Sequence, residues 1–298
     1  MIQTQITLCQ NRINSLLTKY FDALEASEPD PSSLPLLQAM RYGCLNGGKR
    51  LRPLLVYTTA ALFGGSWEQA DAFAVAIELI HCYSLIHDDL PIMDNDDLRR
   101  GQPTCHKVFG EATALLAGNA LLNLAMEILA APASTQASAH LLAIQIISHA
   151  AGAKGMLKGQ MQDLAAENHV LSLARLKVLH QAKTGALIVA SVQCGAIAAG
   201  QTNVTKLNEL KKYAEAIGLG FQIQDDILDL IGTAEIIGKQ PGQDMKRNKS
   251  TFVTLLGLAE AKENLRLCHQ AALACLAVFG ERANDLRDLT VYLHERIN

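Results

Sequence analysis

Apolar residues recur at three- and four-residue intervals along almost the whole chain, as in Leu54, Leu55, Tyr57, Ala61 and Leu62 and again in Leu207, Leu210, Tyr213, Ala214 and Ile217. That period lays a broad stripe along an α-helix. Alternating Val/Ile/Thr-rich runs bounded by turns, the strand pattern, are scarce. The spacing predicts helices near 3–27, 36–46, 50–63, 67–90, 108–130, 135–149, 152–166, 172–199, 204–231, 250–264 and 268–297. Two of them, 67–90 and 204–231, lack a solvated face over much of their length, which places them inside a bundle. No internal repeat, low-complexity tract or linker divides the 298 residues. The expectation is an all-α fold, one large helical bundle forming a single domain over 1–298.

With 49% apolar residues the chain can bury a large core. A net charge of −3 with dispersed basic residues leaves no electrostatic footprint for nucleic acid. The seven cysteines form no CxxC pair, which reads as free thiols in a reducing compartment. The opening MIQTQITLCQNRI lacks the basic patch and apolar core of a secretory signal, and no window approaches ~18 consecutive apolar residues. A cytoplasmic protein with no membrane span is expected.

Carboxylates interrupt this apolar background in two places. The helix beginning at Ile77 runs through His81 into Asp88, Asp89 and Asp94, and the helix around Gly218 carries Gln222, Asp225, Asp226 and Asp229. The second set falls at i, i+3, i+4 and i+7, on one face, and His81 and Asp88 also share a face. Pro91 ends the first helix, so that the chain can bulge and return Asp94 toward Asp88. Two carboxylates ~4 Å apart repel by about 4 kcal/mol at an effective dielectric near 20. A single Asp-Asp pair is ordinarily a solvated helix end. Two clusters, each preceded by several apolar turns, instead call for cations, and hard oxygen ligands without a Cys or His pair suit Mg²⁺.

Basic residues stand in short, distinctive settings that answer such a site. Lys49, Arg50 and Arg52 open a helix after Gly47-Gly48, Arg99 and Arg100 follow the first acidic cluster, and Lys183-Thr184-Gly185 interrupts an apolar helix, where a break would expose backbone groups. Lys239 and Lys249 follow the second cluster. Taken singly, Lys49 and Arg50 read equally well as solvated charge, Lys183 as a snorkelling lysine and His81 as a satisfied core histidine. The set together points to a polyanion facing two metal clusters.

The segments GGKRLRP at 47–53, HCYSLIHDDLPIMDNDDLRRG at 81–101, GQMQD at 159–163, KTG at 183–185, FQIQDDILD at 221–229 and GK at 238–239 resemble, in order and over nearly the whole chain, the motifs of the short-chain trans-prenyltransferases (polyprenyl diphosphate synthases), most closely the bacterial farnesyl diphosphate synthase branch. The resemblance implies an isoprenoid-synthase bundle around a deep central cavity, a homodimer, and three Mg²⁺ per active site, with Mn²⁺ as a substitute. It implies head-to-tail condensation of isopentenyl diphosphate with an allylic diphosphate, through ionisation, attack by the alkene and loss of a proton. By the same resemblance Asp88 and Asp94 are metal ligands supported by Asp89, and Asp225 is the third metal's ligand, with Asp226 and Asp229 holding it through water. Lys49, Arg52, His81 and Arg100 match the isopentenyl diphosphate site. Arg99, Lys183 and Lys239 match the allylic diphosphate clamp, assisted at longer range by Lys249. Thr184 and Gln222 match polar groups flanking the developing cation. Asn95 departs from the family pattern, giving MDND where many bacterial members carry MDDD.

Each C5 extension adds up to ~4 kcal/mol of apolar burial, so only a steric wall ends growth. Tyr83 and Ser84 precede Asp88 by five and four residues, one turn deeper. A bulky Tyr83 is expected to stop the product at C15, although core packing would equally use it. A geranyl or geranylgeranyl diphosphate synthase is the enzyme alternative. A silent regulatory subunit is the non-enzyme one, disfavoured because both acidic motifs are intact, and a terpene cyclase would not need the second diphosphate site at Lys49, Arg52 and His81.

Overall fold

The computed structural model describes residues 2–131, 137–232 and 249–295, and helix dominates them. α1 (Ile2–Ser27) buries Ile6, Cys9, Ile13, Leu17 and Phe21, which recur every three or four residues and so share one face. α2 (Leu34–Leu45) and α3 (Leu51–Leu62) follow. α4 (Trp67–Asp88) opens with a capping box in which the Ser66 hydroxyl accepts from the Gln69 N–H and the Gln69 side chain accepts from the Ser66 N–H. From Ala70 to Ile86 it is buried on nearly every side, as its missing polar face requires. A two-residue ribbon, β1 (Leu98–Arg99) against β2 (Gln102–Pro103), leads into α5 (Cys105–Phe109), α6 (Glu111–Ala130), α7 (Ala137–Ala151) and α8 (Met156–Ala166).

α9 (Leu173–His180) continues through a π-helical turn at Gln181–Gly185 into α10 (Ala186–Ala198). α11 (Val204–Ile231) is capped by the Asn203 side chain, which accepts from the Lys206 N–H. α12 (Phe252–Leu256), α13 (Leu258–Cys275) and α14 (Asn284–Glu295) complete the described chain. α3, α4 and α10 form the middle of the bundle. A Cβ on Gly195 of α10 would lie 2.3 Å from the Val56 carbonyl oxygen of α3, so only glycine permits this crossing. By length and hydropathy α4 and α6 could each cross a membrane, but here they pack against one another inside the bundle.

The helical reading of the sequence holds in class and differs in detail. The expected break at Lys183-Thr184-Gly185 is a π-turn whose flanking residues all keep right-handed helical angles. The expected helices 250–264 and 268–297 are instead divided at Gly257 (φ +82) and across a 3₁₀ segment, Ala277–Ala283, where Gly280 has φ +58. The ribbon at 98–103 has no β pattern behind it. It forms because Arg100 (φ +55) and Gly101 (φ +77) make the two-residue turn with positive φ that a tight hairpin requires.

Candidate active site

The first acidic wall is the end of α4. The Met93 and Asn95 N–H groups both donate to the Leu90 carbonyl, at 2.9 and 3.1 Å, and the Asp94 N–H donates to the Asp88 carbonyl at 2.8 Å. The chain therefore folds back at Pro91 and sets Asp94 beside Asp88. Burial, opposed by Lys183 and reinforced by Asp94, pushes the Asp88 carboxyl up to about 6. Asn95 sits at φ +50 and is exposed, a left-handed position that Asn and Asp both tolerate, so the backbone does not explain its departure from the family pattern.

Asp89 is placed otherwise than its neighbour. It is buried and accepts from Arg99 Nε at 2.8 Å and Arg99 Nη2 at 2.5 Å. Asp96 adds a contact to the same guanidinium at 3.5 Å. Asp89 thus anchors Arg99 from behind, while Arg99 itself lines the cavity.

The second wall comes from α11 and the π-turn. Thr184 Oγ1 donates to Gln222 Oε1 at 3.0 Å, and Gln222 Nε2 donates to Asp226 Oδ1 at 3.3 Å. The other Asp226 oxygen accepts from the Phe252 N–H at 2.8 Å, fixing the start of α12. A Cβ on Gly218 would meet Gly185 Cα at 2.9 Å, so two glycines bring α11 against the π-turn.

The cationic groups form a third wall. Arg50 does not project into solvent: it is wholly buried, with φ +51, and donates to Glu78 Oε1 at 2.6 Å, to Asn14 Oδ1 at 2.9 Å and to the Cys44 carbonyl. This pinned residue sets Lys49 and Arg52 on either side of it at the cavity. Arg52 Nε is buried and finds no hydrogen-bond partner among the described residues. Arg100 is held by Asn46 Oδ1 at 3.2 Å and the Gly47 carbonyl, its guanidinium so close over Gly48 that a Cβ there would lie 2.6 Å away. Burial and the other arginines lower both Arg52 and Arg100. His81, half-buried at the cavity, is driven well below its usual value by desolvation and then by Arg52 and Arg100, and is neutral at pH 7. Lys49, Arg52 and Arg100 beside a neutral histidine make a seat for a polyanion.

All three walls face one cavity of about 490 Å³. It brings together Lys49, Arg52, His81, Asp88, Asp94, Arg99, Arg100, Lys183, Gln222 and Asp225 from the sequence-derived set, along with Asp226, Asp229 and Lys249. Asp89 and Thr184 stand behind that lining, each bonded to a residue in it. Tyr83 and Ser84 also lie outside it. Tyr83 is buried with its ring edge-on to His87, and the Ser84 hydroxyl donates to the His81 carbonyl at 2.8 Å. Lys239 lies outside the described residues.

The sequence reading passed over Asp163 of α8, whose Oδ2 accepts from Lys183 Nζ at 2.7 Å and Lys249 Nζ at 2.8 Å. Its signal was the GQMQD spacing, which puts Gly159 and Asp163 on one helical face. Glu78, the carboxylate that pins Arg50, was likewise hidden in an apolar run.

A family model described as polyprenyl synthetase matches residues 34–277. The chain belongs to the polyprenyl synthetase family. A farnesyl diphosphate synthase of Haemophilus influenzae is 48% identical over 266 residues, covering 89% of this chain and 88% of that one. A farnesyl diphosphate synthase of Escherichia coli is 44% identical, covering 98% of both chains. Among solved structures, an FPP/GFPP synthase of Zymomonas mobilis in its apo form superposes with a TM-score of 0.86 at 41% identity, covering 98% of both chains. As a polyprenyl synthetase the chain shares its all-α architecture with these relatives.

Proposed function

We propose that this polyprenyl synthetase joins isopentenyl diphosphate head to tail to dimethylallyl and then geranyl diphosphate, and releases farnesyl diphosphate. The observation that carries the reading is that two acidic tracts and a set of arginines and lysines line the same cavity. Relatives named farnesyl diphosphate synthase, alike over nearly the full chain, support the same substrates and the C15 product.

The site fits divalent cations. Asp88 and Asp94 on one wall and Asp225 on the other are hard oxygen donors, and the burial that pushes the Asp88 carboxyl up to about 6 favours a positive charge beside it. Mg²⁺ ordinarily keeps waters and substrate phosphate oxygens among its ligands, so a few carboxylates are enough to hold it. Bound Mg²⁺, three ions by analogy with the family and replaceable by Mn²⁺, supplies Lewis-acid neutralisation of the charge that builds on a departing diphosphate.

The chain's own residues do the rest. Lys49, Arg52 and Arg100 bind the isopentenyl diphosphate, with neutral His81 adding a hydrogen bond but no charge. Arg99, held by Asp89, and Lys183, held by Asp163, grip the allylic diphosphate, and Lys239 is assigned to the same clamp. Thr184 and Gln222, bonded to each other, turn oxygen dipoles toward the allylic cation. Leu85, Leu179 and Phe221 give the cavity apolar surface that keeps water from that cation. The departing diphosphate takes the proton. Tyr83, braced against His87, whose Nε2 contacts the Leu115 carbonyl of α6 at 3.0 Å, ends chain growth at C15.

Exposed leucines on α6 and α7, among them Leu116 and Leu141, suit burial against a second copy, and the enzyme acts as a homodimer. It works in the cytoplasm. Incubation with isopentenyl and dimethylallyl diphosphates, with and without Mg²⁺, tests the reading through product chromatography. A Mg²⁺-dependent C15 product is expected. A C10 or C20 product would reassign the chain length, and no product would overturn the activity.

A further inference from the structure

Asp163 does more than pair with one lysine. Lys183 reaches it from the π-turn and Lys249 from the residue that precedes Ser250 and α12, and both ammonium groups meet the same oxygen, at 2.7 and 2.8 Å. The side chains of all three residues are largely buried. Lys249 also lies 4.0 Å from Asp94 Oδ1, and Lys183 is the strongest positive influence on Asp88.

The face of α8 is shaped for this contact. A Cβ at Gly159, one turn before Asp163, would lie 2.2 Å from the Lys183 nitrogen and 2.5 Å from its Cα. The helix therefore rests directly on the π-turn backbone, and the carboxylate four residues on is delivered to the lysine that this turn carries. Burial raises the Asp163 carboxyl, but Lys183 and Lys249 outweigh it and hold it at about 2, so the anion persists at any working pH.

Two ammonium groups this close to Asp88 and Asp94 have an alternative partner in those carboxylates. If they took it, they would occupy oxygens that divalent cations need and would turn away from an incoming diphosphate. We propose that Asp163 is a positioning residue that holds Lys183 and Lys249 toward the diphosphate and off Asp88 and Asp94, keeping the first acidic wall open for metal. This rests on the Mg²⁺-dependent diphosphate chemistry proposed above. Asp163 lines the same cavity, and the role assigned to it is exerted through the lysines.

The test is calorimetric binding of inorganic pyrophosphate across a Mg²⁺ series, with steady-state kinetics and melting temperature alongside. Asp163→Asn is expected to weaken pyrophosphate binding on the order of 10–100-fold at low Mg²⁺, the range for losing an outer partner that orients a site, and to recover as Mg²⁺ rises. The allylic KM should follow that recovery, with kcat at saturating Mg²⁺ changed least, and Asp163→Glu should restore most of the affinity. The double variant Asp163→Asn with Lys249→Met keeps the charge balance even if the single variant folds poorly. Its Mg²⁺ midpoint should return toward wild type, because the lysine nearest Asp94 is gone. A single variant that binds like wild type at every Mg²⁺ concentration, a loss that Mg²⁺ does not relieve, or a double variant with a midpoint far above wild type would each overturn the role. Wild-type protein that binds no pyrophosphate at any Mg²⁺ concentration would instead refute the diphosphate reading itself.

Discussion

Replacing Glu78 by Ala strands a buried guanidinium. Arg50 and Glu78 are essentially fully enclosed and 2.6 Å apart, so the freed charge is left buried without its counter-ion. Breaking such a pair by removing one partner costs roughly 3–5 kcal/mol. An unfolding entropy of about 2.1 cal/mol/K per residue gives ~0.6 kcal/mol/K for this chain, so the melting temperature should fall by about 5–8 °C. Glu78→Gln, which keeps the shape and an acceptor, should fall less. The same change should act on the site, because Arg50 fixes the segment that presents Lys49 and Arg52. The isopentenyl diphosphate KM should therefore rise more than the allylic KM. Scanning calorimetry and initial rates with each substrate varied in turn provide both readouts. A Glu78→Ala protein that melts within about 1 °C of wild type with an unchanged isopentenyl KM would refute the reasoning.

Asp88→Ala and Asp225→Ala should each lower kcat by at least about 100-fold, the few kcal/mol that a cation clamp contributes, while circular dichroism melts stay close to wild type. Tyr83→Ala should lengthen the product beyond C15 in chromatography; an unchanged distribution would return Tyr83 to core packing. His269, buried with its ring 4.2 Å from that of His294, is pushed down to about 4 by burial first and by His294 second. Its folded value lies below the unfolded 6.5, so the unfolded chain binds the extra proton between those values. Stability is then full above pH 6.5 and is lost as pH falls toward 4, on the order of 1–3 kcal/mol. His269→Gln should flatten that part of a pH–melting curve, and a curve identical to wild type would contradict the assignment.

Helical class was legible in the sequence because a 3.6-residue apolar period has no other solution, and the burial of α4 followed from its missing polar face, whereas α11 is buried only from Leu210 onward and exposes Lys206, Lys211 and Lys212. The fold-back of Asp94 onto Asp88 was legible too, since Pro91 cannot continue a helix. What escaped was set by contacts across space. An interruption at Lys183-Thr184-Gly185 was legible, but its form as a π-turn is visible only once Gly159 is seen pressed against it. Asp88 and Asp89 are adjacent and alike in sequence, yet a 100° rotation at the helix end turns one to the cavity and the other to Arg99. Arg50, in a run of basic residues, looked like surface charge until Glu78, 28 positions away, was found beside it. The GQMQD spacing marks Asp163 but not its partners; its two lysines come from 20 and 86 positions along the chain.

Anomalous diffraction from crystals soaked with Mn²⁺ and a non-ionising allylic thiolodiphosphate would locate the cations directly. Peaks are expected between the two acidic walls, ligated by Asp88 and Asp94 on one side and Asp225 on the other, with the diphosphate bridging them. Manganese bound elsewhere, or to one tract only with the diphosphate outside the cavity, would contradict the account.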